Sequence, residues 1–98
     1  MEITAENFDQ AKNSAVVIDF WAQWCGPCKV MLPIVEKMHE EFGDKVAKCN
    51  VDEQPELAQS LGISSIPCFI FFKAGEEVHR HVGTMTEDEF REKIKTYL

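Results

Sequence analysis

Ala15-Val16-Val17-Ile18-Asp19-Phe20-Trp21 is an apolar run broken only by Asp19, and it leads through Ala22 and Gln23 into Trp24-Cys25-Gly26-Pro27-Cys28. Continuous rather than alternating hydrophobicity marks a central strand covered on both faces. Beyond Cys28, Met31, Ile34, Val35, Met38 and Phe42 recur at helical spacing, which predicts a helix over Cys28–Phe42 that Gly43 can end. Pro33 lies inside it, where it removes one backbone bond and should kink the helix. Two cysteines separated by two residues, set between a strand and a helix in a short acidic chain, favour thiol–disulfide chemistry.

Working outward, Ile3 begins a short edge strand, and Thr4 caps a first helix over Ala5–Lys12 with Phe8 and Ala11 on one face. Asn13-Ser14 breaks that helix. Lys45–Val51 reads as a strand, and Asp52-Glu53-Gln54-Pro55 opens a short helix through Leu61 that Gly62 closes. Pro67–Phe72 is a strongly apolar strand, joined by the turn Lys73-Ala74-Gly75-Glu76 to a weaker strand over Glu77–Val82. After Gly83, Thr86 and Glu89 form a capping box for a last helix whose buried stripe is Phe90, Ile94 and Tyr97. The order β-α-β-α-β-α-β-β-α predicts an α/β domain spanning residues 1–98: a single mixed β-sheet with helices on both faces.

Composition narrows the function. The chain has 98 residues, 45% of them hydrophobic and 10% aromatic, enough for one packed core. A formal charge of −7 argues against nucleic acid and against a polybasic membrane anchor as partners. Met1-Glu2-Ile3-Thr4 has neither the basic start nor the apolar run of a targeting segment, and no stretch approaches membrane-spanning length. A reducing, cytoplasmic compartment is therefore expected, in which structural disulfides are unfavoured. Of the four cysteines only Cys25 and Cys28 have a paired spacing; Cys49 and Cys68 stand alone in apolar runs.

An unperturbed thiol, with a pKa of about 8.5, is mostly protonated at neutral pH, whereas a disulfide is attacked by the thiolate. Cys25 stands where strand gives way to helix, and there unpaired N–H groups and the helix dipole favour a negative sulfur. Cys25 is the expected nucleophile. Cys28, one helical turn on and deeper, is within bonding reach of Cys25 and is expected to resolve the mixed disulfide formed with a substrate. Gly26 lets the backbone turn tightly, and Pro27 suits a first turn that needs no donor. A zinc half-site and a structural bridge are the competing readings of the pair. Zinc takes four ligands, and Cys49, Cys68, His39, His79 and His81 offer no second close cysteine pair, so no metal is expected. Asp19 is costly in a doubly covered strand, since burial disfavours its charged form. An edge position meeting water is its ordinary alternative, but the flanking Val17, Ile18 and Phe20 favour burial and function.

Together these residues carry a resemblance. Val17-Ile18-Asp19-Phe20-Trp21-Ala22, Trp24-Cys25-Gly26-Pro27-Cys28-Lys29, Ile66-Pro67 and Phe72-Lys73-Ala74-Gly75 are similar to the thioredoxin family over nearly the whole chain. The resemblance implies the thioredoxin fold and a general protein-disulfide reductase and electron carrier. It makes Asp19 the proton acceptor for Cys28, with Lys48 as that aspartate's partner. It implies a cis Pro67 packed against the cysteine pair, with the Ile66 backbone pairing with an extended substrate segment. Trp24, Gly26, Pro27, Ile66, Pro67, Val82 and Gly83 would then form the substrate-binding surface around Cys25. Disulfide-containing proteins are the implied substrates and a thioredoxin reductase the implied source of electrons. No cofactor is expected beyond the dithiol itself, and nothing signals association, so a monomer is expected.

Cys68 departs from the family, which commonly has Thr after the proline. It is expected near the active disulfide, either as an inert space-filling residue or as a third thiol affecting redox poise. Ser65 replaces a frequent Gly. Two other functions stay in view: a disulfide oxidant or isomerase, which calls for an oxidising compartment and a different intervening pair, and a redox-inactive adaptor built on the same fold.

Overall fold

The apolar run becomes strand β1 (Val16–Trp21), and the computed structural model, which describes residues 1–98, puts it inside a four-stranded sheet. Helix α1 (Phe8–Lys12) precedes it and helix α2 (Gly26–Phe42) follows. The chain continues through β2 (Val46–Asn50), α3 (Pro55–Ser60), β3 (Cys68–Lys73), β4 (Glu76–Val82) and α4 (Glu87–Tyr97). The sheet order is β2-β1-β3-β4, with β1 and β2 parallel and the other pairs antiparallel. The sheet is single and mixed, as the alternation implied.

Side chains alternate across β1 and divide the core in two. Val16, Ile18 and Phe20 pack with Phe8 and Ala11 of α1 and with Cys49, Cys68 and Ile70 of the neighbouring strands. Val17 points the other way, into a layer of Met31, Val35 and Met38 from α2 and Phe90 and Ile94 from α4. Phe90 is fully buried, its ring 5.2 Å from that of Phe69. Alternation puts Asp19 and Trp21 on the same side as Val17, beneath α2.

Several local expectations shift. The first strand is reduced to one parallel bridge between Glu2 and Lys48, although Ile3 N–H donates to the Lys48 carbonyl at 2.7 Å and Lys48 N–H to the Met1 carbonyl at 3.0 Å. Thr4 does not cap α1, which starts at Phe8 and not at Ala5. Asn7 precedes it, but its side chain accepts from Thr4 N–H at 2.8 Å and donates to the Glu2 carbonyl at 2.9 Å, organising the N-terminal segment instead. At α4, Thr86 Oγ1 accepts from Glu89 N–H at 3.1 Å, but Glu89 makes no return bond, so the cap is half of a box. Helix α2 starts earlier than its apolar stripe, at Gly26, and spans Pro33. Its end matches expectation, with Gly43 at φ 64°.

The β3–β4 hairpin turns on Ala74 and Gly75, at φ 55° and 87°. Positive φ at both central residues matches the twist of the flanking strands. A Cβ at Gly75 would also sit 2.9 Å from Asn13 Oδ1, so the Asn13 side chain would have to move.

Phe90→Ala should lower the unfolding free energy by about 3–5 kcal/mol in urea denaturation, since the cavity it leaves lies between sheet and helix. Val78→Ala, at an exposed position of β4, should change it by less than about 0.5 kcal/mol. Similar costs at the two positions would contradict this account of the core.

Candidate active site

Cys25 is the residue just before α2. Its backbone is extended, at φ −90° and ψ 108°, and its Sγ accepts a hydrogen bond from Cys28 N–H at 3.1 Å. The sulfur thus occupies the capping position that a serine or aspartate oxygen often fills, against donors the helix cannot use itself. Such an environment stabilises a thiolate through both the bond and the helix dipole. Cys25 and Cys28 are joined as a disulfide, with Cα atoms 5.2 Å apart. Cys25 is 4% exposed and Cys28 is 0%, so Cys25 is the more accessible sulfur. Pro27 falls in the first turn, where its missing N–H costs nothing.

Gly26 is not needed for a tight turn, contrary to expectation. Its φ is not positive, and a Cβ there would meet nothing within 4 Å.

Asp19 is 1% exposed, and neither carboxylate oxygen has a hydrogen-bond partner. Burial pushes its pKa up from 3.8 to about 7, with Lys48 pulling it down and Glu2 pushing it up by smaller amounts. On β1 it sits between Val17, which packs with Met31 and Val35, and Trp21, which packs against Cys25 and Cys28. It therefore lies under the first turns of α2, in the layer that holds Cys28.

Lys48 is opposite Asp19 in the β1–β2 register, but no ion pair joins them within 4 Å. The ammonium is 3.9 Å from Glu2 Oε1 and 5.5 Å from the centroid of the Trp21 ring. Its influence on the aspartate is a field, not a contact.

The Ile66–Pro67 bond is cis. Cys25 Sγ lies 3.7 Å from the Ile66 carbonyl oxygen, a contact in which the reduced thiol can donate its proton. The Pro67 carbonyl accepts from Gly83 N–H at 2.8 Å, which ties the Val82-Gly83 corner to the same loop. Trp24 is 69% exposed and Val82 54%, with Gly26 and Pro27 also exposed and Ile66 and Gly83 half-buried. Pro67 is buried, so its part in the surface is to shape its neighbours. Of the other expected surface residues, Ile66 packs against the cluster of Ala22, Cys25 and Cys28 and meets Cys25 Sγ through its carbonyl.

Sequence reasoning missed the cleft next to this surface. It encloses about 390 Å³ and is lined by Trp24, Val51, Ala58, Ile63, Ser64, Ser65 and Ile66. It also missed Asp52, whose Oδ2 accepts from the Trp24 indole N–H at 2.8 Å and orients that ring. Nearness to Ile66 in the chain was the only signal for Ile63 and Ser64. The Cys68 side chain packs in a different cluster from Cys25 and Cys28. It faces the α1 side, with Phe20 between it and Cys49 in the strand register. Burial pushes the Cys49 thiol up to about 11 and raises Cys68 as well, which makes both poor nucleophiles.

Asp19 carries a pH signature. Its folded pKa lies above the unfolded value, so the native state keeps a proton that the unfolded chain releases between about pH 4 and 7. The stability linked to this site is complete below about pH 4 and lost as pH rises through about 7. Asp19→Asn should match the wild type in urea unfolding at pH 4 and exceed it by about 2–4 kcal/mol at pH 8. A variant no more stable at pH 8 would show that Asp19 is not buried as described.

Comparison with known proteins bears on this arrangement directly. The thioredoxin family model matches residues 1–96. The chain is 42% identical to the thioredoxin of Alicyclobacillus acidocaldarius, covering 100% of this chain and 97% of that one. It is 41% identical to the thioredoxin of Listeria monocytogenes, covering 99% and 97%. A crystal structure of the thioredoxin of Malassezia sympodialis superposes with a TM-score of 0.87 at 39% identity, over 98% of this chain and 90% of that one. Sheet order, the disulfide at the start of α2 and full-length similarity lead to one conclusion: the chain belongs to the thioredoxin family and is an oxidoreductase that acts by thiol–disulfide exchange.

Proposed function

We propose that the chain is a general protein-disulfide reductase in which Cys25 attacks, Cys28 resolves and Asp19 accepts the proton. The observation that carries this reading is the Cys28 N–H bond to Cys25 Sγ at the N-terminus of α2, beside the Ile66 carbonyl. The Cys25 thiolate attacks one sulfur of a substrate disulfide, forming a mixed disulfide and expelling the other sulfur as a thiolate that takes up a proton. The Cys28 thiol passes its proton to Asp19, whose pKa of about 7 suits it to hold and release one near neutrality. The Cys28 thiolate then attacks Cys25 Sγ, closing the Cys25–Cys28 disulfide and freeing the second substrate thiol. Two electrons pass from the dithiol to the substrate.

Lys48 acts on Asp19 at a distance, favouring its charged form and so opposing the effect of burial. Trp24, Pro27, Ile66 and Val82 supply an apolar docking surface, and Gly26 and Gly83 leave space for an extended substrate segment to pair with the Ile66 backbone. The dithiol is the only redox carrier, so no prosthetic group is required. A thioredoxin reductase restores it, which makes the protein an electron carrier for cellular redox homeostasis. A reducing, cytoplasmic setting and a monomeric state fit this role. No helix is long and apolar enough to cross a membrane.

Cys28→Ser should trap a substrate with a single disulfide as a covalent adduct through Cys25, seen as a reductant-sensitive band on non-reducing electrophoresis. Cys25→Ser should trap nothing. Equal trapping by the two variants would reverse or remove the roles assigned here, and no trapping by either would favour the adaptor.

A further inference from the structure

We infer that Arg80 is a positioning residue that holds the substrate cleft in shape through the carbonyl of Leu61; the inference rests on the proposed reading of that cleft as a docking surface. The cleft's outer wall is the segment from Ile63 to Ile66, which supplies four of its seven lining residues. Ser64, Ser65 and Ile66 make no backbone–backbone hydrogen bond, and neither serine side chain makes any. Their placement depends on how the segment is fixed at its two ends.

One end is Pro67, whose carbonyl is bonded to Gly83 N–H. The other is the C-terminus of α3, where Gly62 N–H donates to the Gln59 carbonyl and Ile63 N–H to the Ala58 carbonyl. The Leu61 carbonyl is left over at this helix end. It accepts from Arg80 Nη2 at 2.8 Å, a bond that crosses from β4 to the end of α3. The guanidinium is aimed by Glu77, which accepts from Nε and Nη2, each at 2.8 Å. A two-pronged carboxylate–guanidinium pair fixes orientation as well as distance.

Arg80 stands opposite Ile70 in the β3–β4 register, on the face that also carries Cys68. It therefore reaches the start of the segment while lying close to the residue that follows Pro67. Loss of the bond leaves the cysteine pair, Asp19 and Pro67 untouched but frees the wall that an extended substrate must meet. The effect falls on docking and not on sulfur chemistry.

The test compares two oxidants of the pre-reduced protein, followed by tryptophan fluorescence: insulin, which must dock, and 5,5′-dithiobis(2-nitrobenzoate), which makes little contact beyond the sulfur. In Arg80→Met the second-order rate constant with insulin should fall about tenfold, less than the roughly hundredfold loss that a 1 Å misplacement of reacting groups can cause. The rate with the small disulfide and the Cys25–Cys28 potential should stay as in the wild type. Arg80→Lys, which keeps one donor for the Leu61 carbonyl, should recover part of the loss. Backbone amide order parameters of Ser64, Ser65 and Ile66 should drop in Arg80→Met. An unchanged insulin rate, or equal losses with both oxidants, would overturn the inference. Should the wild type reduce neither disulfide, the proposed function fails, and unchanged order parameters in Arg80→Met would separately overturn the clamp. If Arg80→Met does not fold, Glu77→Gln loosens the aim of the guanidinium and should give a smaller, insulin-selective loss.

Discussion

The hydrogen bond from Cys28 N–H to Cys25 Sγ depends on a strand that runs straight into a helix, and the architecture serves that junction. A helix start offers donors with no partners of their own, and a sulfur set at the capping position meets them. For Cys25 to stay there, β1 must be held on both edges and both faces. Parallel β2 and antiparallel β3 supply the edges, and the two apolar layers supply the faces. The rigidity of the centre lets the reactive sulfur sit at a fixed point beside the Ile66 carbonyl.

The same strand carries the main energetic cost. Asp19 replaces an apolar residue in the doubly covered run and leaves two buried oxygens without partners. Nothing in the packing requires a carboxylate there; Val17 and Phe69 nearby show what the layer accepts. In the proposed mechanism its position beneath the first turns of α2 gives the cost a purpose, since a buried acid with a pKa near neutrality can hold and release a proton there. Under the proposed mechanism, stability is given up at the point where a base is called for.

Much of this was legible in the sequence because the signals were local and strong. The unbroken run Val16–Trp21, the helical stripe Met31, Val35 and Met38, and the glycines at 43 and 62 each have one simple structural meaning. Legibility ended where a side chain had a choice of partners. Asn7 serves Thr4 and Glu2, so the first helix loses its expected start. Lys48 can pair with Asp19 or Glu2, and only the packed structure selects Glu2. Cys68 follows Pro67 by one residue, and strand alternation turns it to the opposite face from the one expected. The cleft wall and its tether to Arg80 join residues distant in the chain with no periodicity to announce them.

The central claim is that a dithiol at the start of α2 is poised to reduce protein disulfides. An equilibrium titration of the protein against dithiothreitol redox mixtures, followed by tryptophan fluorescence, tests it most directly. The account predicts one two-electron transition at a strongly reducing midpoint, near the value of about −270 mV characteristic of thioredoxins. A midpoint between about −180 and −120 mV, the range of isomerase and oxidant relatives, or no two-electron transition in folded protein, would contradict it.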